Sequence, residues 1–333
     1  MKVSVIGSGS WGTALAQVLA DNNVDVLIYG RENNQVVDIN TNHKNSIFFD
    51  DFELNHTLKA TTNFDDLLNA EIFLLAVPTI AIEEICLKIK EKVNHPFYII
   101  NVAKGFHPVT YKRMSVVINE TLKDSHLIDV ISLIGPSHAE EVIKRMLTAV
   151  NAVCENEESA KMVQHLFSNS YLRVYTNTDV IGAELGVAIK NSIALASGMI
   201  SGLGYGDNTR AALITRGLAE MTRYGIKCGG KMETYLGLCG LGDLIVTCTS
   251  QHSRNFQAGY AIGKANDATE FLKNNTKTVE GINTAKAIYH HAKEIDVDMP
   301  IVNQIYRVLF ENAIPSICVE ELMNRKLVPE IRE

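Results

Sequence analysis

The stretch MKVSVIGSGSWGTALAQVLADN constrains the fold more than any other part of the chain. A short β-rich run, Lys2 to Ile6, leads directly into Gly7-Ser8-Gly9-Ser10-Trp11-Gly12, and a helical pattern of alanines and leucines follows. In a strand–turn–helix unit the first glycine of G-x-G-x-x-G permits a tight turn. The second lets the backbone approach a pyrophosphate, and the third lets the helix pack closely on the strand. The phosphates sit at the helix N-terminus, where N–H groups and the helix dipole favour an anion. Gly7, Gly9 and Gly12 therefore read as a dinucleotide turn; the alternative is an ordinary glycine-rich βα connection.

The following residues support the dinucleotide reading. Runs at Lys2 to Ile6, Val24 to Tyr29, Glu71 to Val77, Phe97 to Val102 and Val130 to Ile134 alternate with helical patterns, the signature of βαβ units and a largely parallel sheet. FLLAV and YIINV are continuous rather than alternating, as expected of strands covered on both faces. Leu147 to Val153 and Tyr171 to Tyr175 flank a helix at Glu157 to Phe167 and should extend the sheet. After Asn177 only helical periodicity and glycine punctuation remain. Expected helices span Ile181 to Ser201, Thr209 to Tyr224, Lys231 to Leu238, Asn255 to Lys264, Gly281 to Glu294, Pro300 to Phe310 and Ser316 to Arg325.

The expected fold is thus α/β plus all-α: a doubly wound Rossmann-type dinucleotide-binding domain over residues 1–178 and a helical substrate and catalytic domain over 179–333. The length of 333 residues suits two cores, since single cores stop growing at about 250–300 residues. A net charge of -7 without a long basic block argues against a nucleic-acid partner. The six cysteines form no C-x-x-C pair, which suggests free thiols in a reducing compartment and neither a zinc cage nor a disulfide framework. No secretion signal precedes the first strand. The apolar segment Val180 to Tyr205 carries Glu184 and Lys190, so it reads as a buried helix and not a membrane span.

Several charged residues then stand out. The second strand ends in VLIYGRE, placing Arg31 where an acidic residue would accept from an adenosine ribose hydroxyl; Arg31 favours a 2′-phosphate and hence NADPH, while Glu32 leaves NADH open. Lys104 lies just past the carboxyl end of the strand at Phe97 to Val102, where open α/β sheets bind ligands, and Gly135-Pro136-Ser137-His138-Ala139 follows the next strand. GLGDLIVTCTSQHSRN offers Asp243 after a glycine turn, then Thr247, then Ser253, Arg254 and Asn255 before a helix, a start that suits a phosphate or carboxylate.

GVAIKNSIALASG sets Lys190 in an uncharged helix, on one face with Ala183, Gly186, Ala194 and Ser197. Burial disfavours a charged amine. Lys190 is therefore either tethered, to a carboxylate such as Glu184 or by reaching water, or useful, with the small residues admitting a ligand or another helix.

Taken in order, GSGSWGTALA, VAKG, GPSHAEE, GVAIKNSIALASG, GLGDLIVTCTS, SRN, TVEG and the C-terminal VEELMNRKLVPE resemble the bacterial NAD(P)-dependent glycerol-3-phosphate dehydrogenase family. The resemblance implies reversible reduction of dihydroxyacetone phosphate to sn-glycerol 3-phosphate with NADPH or NADH, feeding glycerophospholipid synthesis, in a cytoplasmic homodimer. It implies Lys190 as general acid/base, with Asn191 and Asp243 positioning that lysine or the substrate oxygens. Lys104, Gly135, Ser137, Ser253, Arg254 and Asn255 would hold the phosphorylated substrate. Ser10, Trp11, Arg31, Ala139 and Glu280 would contact the dinucleotide, as would Lys104 and Arg254. Ser192 and Cys239 depart from the pattern, standing where more apolar or smaller residues are expected.

Other readings remain open on these residues. A related hydroxyacid dehydrogenase acting on a carboxylate also joins a Rossmann domain to a helix-borne lysine, and a non-catalytic dinucleotide sensor would keep the fold alone. Asp243 would serve as a helix cap if the following helix begins at Leu244. No histidine spacing suits a metal, and His290-His291 reads as solvated surface.

Overall fold

Among the described residues there are eight strands, most of them rich in apolar residues: β1 (Lys2–Ile6), β2 (Asp25–Tyr29), β3 (Lys59–Thr61), β4 (Ile72–Leu75), β5 (Phe97–Asn101), β6 (Leu127–Ile134), β7 (Thr148–Val153) and β8 (Leu172–Asn177). In the computed structural model, which describes residues 1–276 and 278–330, they make one sheet in the order β3-β2-β1-β4-β5-β6-β7-β8. The pairings from β3 to β6 are parallel. β7 turns antiparallel to β6, and β8 runs parallel to β7. Order reverses between β1 and β4, so the glycine turn after β1 lies at the topological switch point, where open sheets take their ligands.

Helices cover both faces. On one face Val3, Val5, Ile72 and Leu74 pack with Leu15 and Leu19 of α1 (Ser10–Asp21). On the other, Ile6, Phe73 and Leu75 pack with Ile82, Cys86 and Ile89 of α2 (Thr79–Lys92) and Ile118 of α3 (Met114–Thr121). Successive strand residues point to opposite faces, so only a strand apolar at every position buries both. β8 ends the sheet, and α4 (Glu157–Phe167) shields this edge: Gln164 Nε2 donates to the Val174 carbonyl at 2.8 Å, and the Ser168 hydroxyl just beyond accepts from the Val174 N–H at 3.3 Å.

β3 was not expected. It is three residues long, KAT, with no apolar run to announce it.

Packing groups Met1–Val187 with Gly229–Asp243 as one unit, and Ala188–Cys228 with the described residues from Leu244 onward as the other. The long helix α5 (Val180–Gly202) contributes its first turns to the former and the rest to the latter. By length and composition alone α5 could cross a membrane, yet 89% of its apolar window is buried within the protein, as befits a core helix.

The second unit is helical. Besides the rest of α5 it comprises α6 (Asp207–Lys227), α7 (Asp243–Thr249, of which Asp243 packs with the first unit), α8 (Arg254–Ala265), α9 (Glu280–Glu294), α10 (Pro300–Phe310), α11 (Pro315–Met323) and a short helix at Thr269–Asn274. Glycine makes the closest packing possible: a Cβ on Gly259 would stand 1.9 Å from the Leu195 carbonyl oxygen, and one on Gly198 2.1 Å from that of Phe256. α5 and α8 therefore touch backbone to backbone. The expected helix at Lys231 to Leu238 is shorter, Met232–Leu236, and a π-helical turn, Leu238–Gly242, follows it.

Candidate active site

In the first unit, β1 hands over to α1 through the glycine turn. Gly7 has a φ of +119°, and a Cβ there would lie 2.3 Å from the Ala76 carbonyl oxygen at the end of β4; a Cβ on Gly12 would lie 2.0 Å from the Gly7 carbonyl oxygen. Gly9 differs, since nothing lies within 4 Å of its Cβ position. Two glycines thus close the turn and the third leaves one face open. No side chain caps α1 and no acidic residue occupies its first turn, so its leading N–H groups keep their pull on an anion. Trp11 Nε1 is buried with no acceptor among the described residues. An open glycine, an uncapped helix start and an orphaned donor suit a dinucleotide.

Beyond β2, Arg31 and Glu32 are both exposed, so neither is committed by burial to an internal role. Ala139, buried, starts the short helix Ala139–Val142 after the Gly135 turn.

Lys104, past the end of β5, is held from two sides. Its Nζ donates to the Gly135 carbonyl at 2.7 Å and lies 3.3 Å from Asp243 Oδ2. Gly135 has a φ of +148°, which favours glycine, and the Ser137 hydroxyl also donates to its carbonyl, at 3.2 Å. The side chains of Lys104 and Asp243 are 18% and 1% exposed, so the carboxylate is sealed while the amine retains an outlet. Asp243 belongs to the turn of the chain into α7, which starts one residue earlier than expected. Its backbone N–H donates to the Leu238 carbonyl, closing the π turn, and its carboxylate is the ion-pair partner of Lys104 rather than solely a helix cap.

In the second unit, Lys190 is 5% exposed and its Nζ donates to Thr247 Oγ1 at 2.6 Å. Asn191 Oδ1 accepts from Asn255 Nδ2 at 3.0 Å, and Asn255 Oδ1 accepts from the Gly281 N–H at 2.9 Å, so the starts of α8 and α9 are tied to α5 beside the lysine. Ser253 caps α8, its hydroxyl accepting from the Phe256 N–H at 3.2 Å. Arg254, exposed, begins that helix. Glu280 begins α9; burial pushes its carboxyl up to about 7, against the pull of Arg254.

Two expectations are corrected. Glu184 is not a tether for Lys190: its carboxylate accepts from Arg113 Nη1 at 2.9 Å, the Ser115 hydroxyl at 2.6 Å and N–H at 3.2 Å, and the Ser132 hydroxyl at 3.0 Å. The small residues of α5 do not form a ligand floor either. A Cβ on Gly186 would meet the Cys239 carbonyl oxygen at 2.4 Å, Ala183 packs with Ile134 and Val153, and Ser197 donates to the Cys248 carbonyl at 2.8 Å. Ser192 resolves simply, its hydroxyl donating to the Ile189 carbonyl at 2.7 Å. His290 and His291 are exposed yet engaged, His291 Nδ1 lying 2.6 Å from the Tyr224 hydroxyl and the His290 ring stacking edge-on to Tyr306. Thr247 stands out in the sequence as a polar residue after Asp243, but spacing along α5 gives no signal that Lys190 donates to it.

Two family models match the chain: the NAD-dependent glycerol-3-phosphate dehydrogenase N-terminus over residues 2–160 and the C-terminus of the same family over residues 179–320. A glycerol-3-phosphate dehydrogenase [NAD(P)+] from Staphylococcus aureus is 48% identical over 325 residues, covering 97% of this chain and 98% of the relative. One of the same name from Listeria innocua is 48% identical, covering 98% and 96%. The crystal structure of glycerol-3-phosphate dehydrogenase from Coxiella burnetii superposes with a TM-score of 0.89 at 34% identity, over 97% of this chain and 99% of that one.

Proposed function

The chain belongs to the NAD-dependent glycerol-3-phosphate dehydrogenase family, and from that premise we propose how its residues divide the NAD(P)H-linked, reversible reduction of dihydroxyacetone phosphate to sn-glycerol 3-phosphate. The reduced cofactor, when bound, supplies the hydride that C2 of the substrate accepts. Lys190 gives a proton to the C2 oxygen as negative charge grows there, and takes it back in the reverse direction. Asn191 orients Lys190. Lys104, Gly135, Ser137, Ser253, Arg254 and Asn255 hold the substrate, and Asp243, which faces Lys104, positions Lys190 or the substrate oxygens. Gly7, Gly9, Ser10, Trp11, Gly12, Arg31, Ala139 and Glu280 bind the dinucleotide with help from Lys104 and Arg254, Arg31 favouring NADPH. Residues 1–178 make the dinucleotide-binding domain, which also lends Lys104, Gly135 and Ser137 to the substrate, and 179–333 the substrate and catalytic domain, which lends Arg254 and Glu280 to the cofactor. The enzyme works as a cytoplasmic homodimer and supplies glycerophospholipid synthesis.

One observation carries the catalytic assignment. Lys190 is buried in an apolar helix with its Nζ aimed by Thr247 at 2.6 Å, so its amine is oriented rather than left to reach solvent. Proton transfer from a positioned acid in the transition state contributes about 10²–10⁴-fold, so Lys190→Ala should lose at least about 100-fold in turnover while keeping its affinity for NADPH. Spectrophotometric traces of NADPH and NADH oxidation with dihydroxyacetone phosphate measure both turnover and cofactor preference. Parent-like turnover in Lys190→Ala overturns the role; turnover of a 2-oxo acid in place of the phosphate overturns the substrate.

A further inference from the structure

Cys239 occupies the glycine turn where a smaller residue was expected, and its surroundings account for it. The side chain is fully buried; its Sγ accepts from Asn151 Nδ2 at 3.1 Å and its S–H reaches the Ile134 carbonyl at 3.8 Å. Asn151 and Ile134 face each other in register at the antiparallel junction of β6 and β7. Gly135, whose carbonyl holds Lys104, is the next residue after Ile134. Asp243 stands four positions beyond Cys239, at the far end of the same π turn, 3.3 Å from Lys104. One turn therefore carries a polar tether to the sheet at one end and the carboxylate that faces the lysine at the other.

The turn between them has little slack. A Cβ on Gly240 would stand 2.0 Å from the Tyr235 carbonyl oxygen, and Gly186 of α5 already abuts the Cys239 carbonyl. A shift at residue 239 therefore passes along the backbone to 243. The polar pair also has a cost to offset, because an amide buried on a sheet face without a partner is unfavourable. Asn151 is 7% exposed, so Cys239 is what makes it tolerable there. Burial pushes the Cys239 thiol up to about 12, so it stays a neutral donor and acceptor near Lys104 and Asp243.

We propose that Asn151 and Cys239 are positioning residues, a clamp that sets Asp243 and through it the amine of Lys104. The consequence for catalysis rests on the reading above that Lys104 and Asp243 serve the substrate; the geometry of the clamp does not.

The test compares Asn151→Val, Cys239→Ala, the double variant and the conservative Cys239→Ser with the parent. Four quantities are read: KM for dihydroxyacetone phosphate against kcat, affinity for NADPH, melting temperature, and the rate at which acetic anhydride labels Lys104 relative to other lysines, by mass spectrometry. Each single variant should raise KM about tenfold, as coupled buried neighbours do, with NADPH affinity unchanged and Lys104 labelled faster. Cys239→Ser should stay near the parent. The double variant leaves no buried amide side chain unpaired, so it should recover melting temperature while KM and labelling stay altered. Recovery of all three in the double variant, or parent-like labelling of Lys104 in both single variants, overturns the clamp. Failure of the parent itself to reduce dihydroxyacetone phosphate overturns the substrate reading, and the labelling still decides the clamp.

Discussion

Replacing Glu220 by Gln probes a buried carboxyl whose titration the second unit must carry. Glu220 lies on α6, 3% exposed, and its carboxylate accepts from the N–H of Ile301 at 2.8 and 3.0 Å and from that of Val302 at 3.4 Å, at the start of α10. Burial pushes its carboxyl up to about 8 from an ordinary 4.5; the two N–H groups and Arg223 oppose the rise, and Asp298 adds to it. The folded chain therefore keeps a proton that the unfolded chain releases above about pH 4.5. With more protons bound in the folded state, stability is highest below that value and falls as pH rises towards 8. At about 1.4 kcal/mol per pH unit, the parent should lose roughly 3–4 kcal/mol between pH 5 and pH 8 relative to Glu220→Gln, and little more above that. Gln keeps a carbonyl acceptor for α10 but cannot titrate. Urea unfolding of both proteins at each pH gives the difference, and hydrogen exchange at the Ile301 and Val302 amides localises it. A difference between parent and variant that stays flat from pH 5 to pH 8 would refute the reasoning.

Three further outcomes are expected. Glu184→Ala leaves the Arg113 guanidinium, whose side chain is 22% exposed, without its carboxylate, and should cost about 3 kcal/mol in unfolding free energy; a change under about 0.5 kcal/mol would mean that Arg113 finds water at no cost. Gly12→Ala places a methyl 2.0 Å from the Gly7 carbonyl oxygen, so NADPH titration by fluorescence should show affinity down at least about tenfold; undiminished affinity would show that the turn yields. Arg31→Ala should weaken NADPH about tenfold and leave NADH nearly unchanged; equal weakening of both in binding titrations would remove the 2′-phosphate role.

The sheet was legible because its strands are apolar on both faces, a pattern that helices of this length do not share. Phe73 and Leu75 face α2 while Ile72 and Leu74 face α1, and FLLAV shows both demands at once. β3 was hidden for the converse reason, since its three residues pair with β2 at the sheet edge where little apolar surface is needed. The reversal of direction at β7 was equally silent. Nothing in TAVNAV distinguishes an antiparallel partner of Ile134 from a parallel one; the connection through Gly135 and the short helix Ala139–Val142 decides it.

The site divides along a similar line. Glycines announce themselves because only glycine fits a φ of +119° at Gly7, and helix starts do so through Ser253 and its cap. The partners of charged groups do not, because they arrive from other elements. Glu184 illustrates how far helix geometry alone can go. At about 100° per residue, six positions carry a side chain about 240° round the helix from where it began, so Glu184 and Lys190 cannot share a face. Periodicity alone thus excludes the tether. It says nothing of what replaces it, because Arg113 and Ser115 come from the start of α3, Ser132 from β6, and Thr247 from α7. The two charges of α5 thus answer to different surroundings: Glu184 accepts from four donors brought by Arg113, Ser115 and Ser132, whereas Lys190 donates to the Thr247 hydroxyl, a contact that fixes the direction of its Nζ. A general acid has to be aimed before it can act, and that aim comes from α7, an element that periodicity along α5 does not reach.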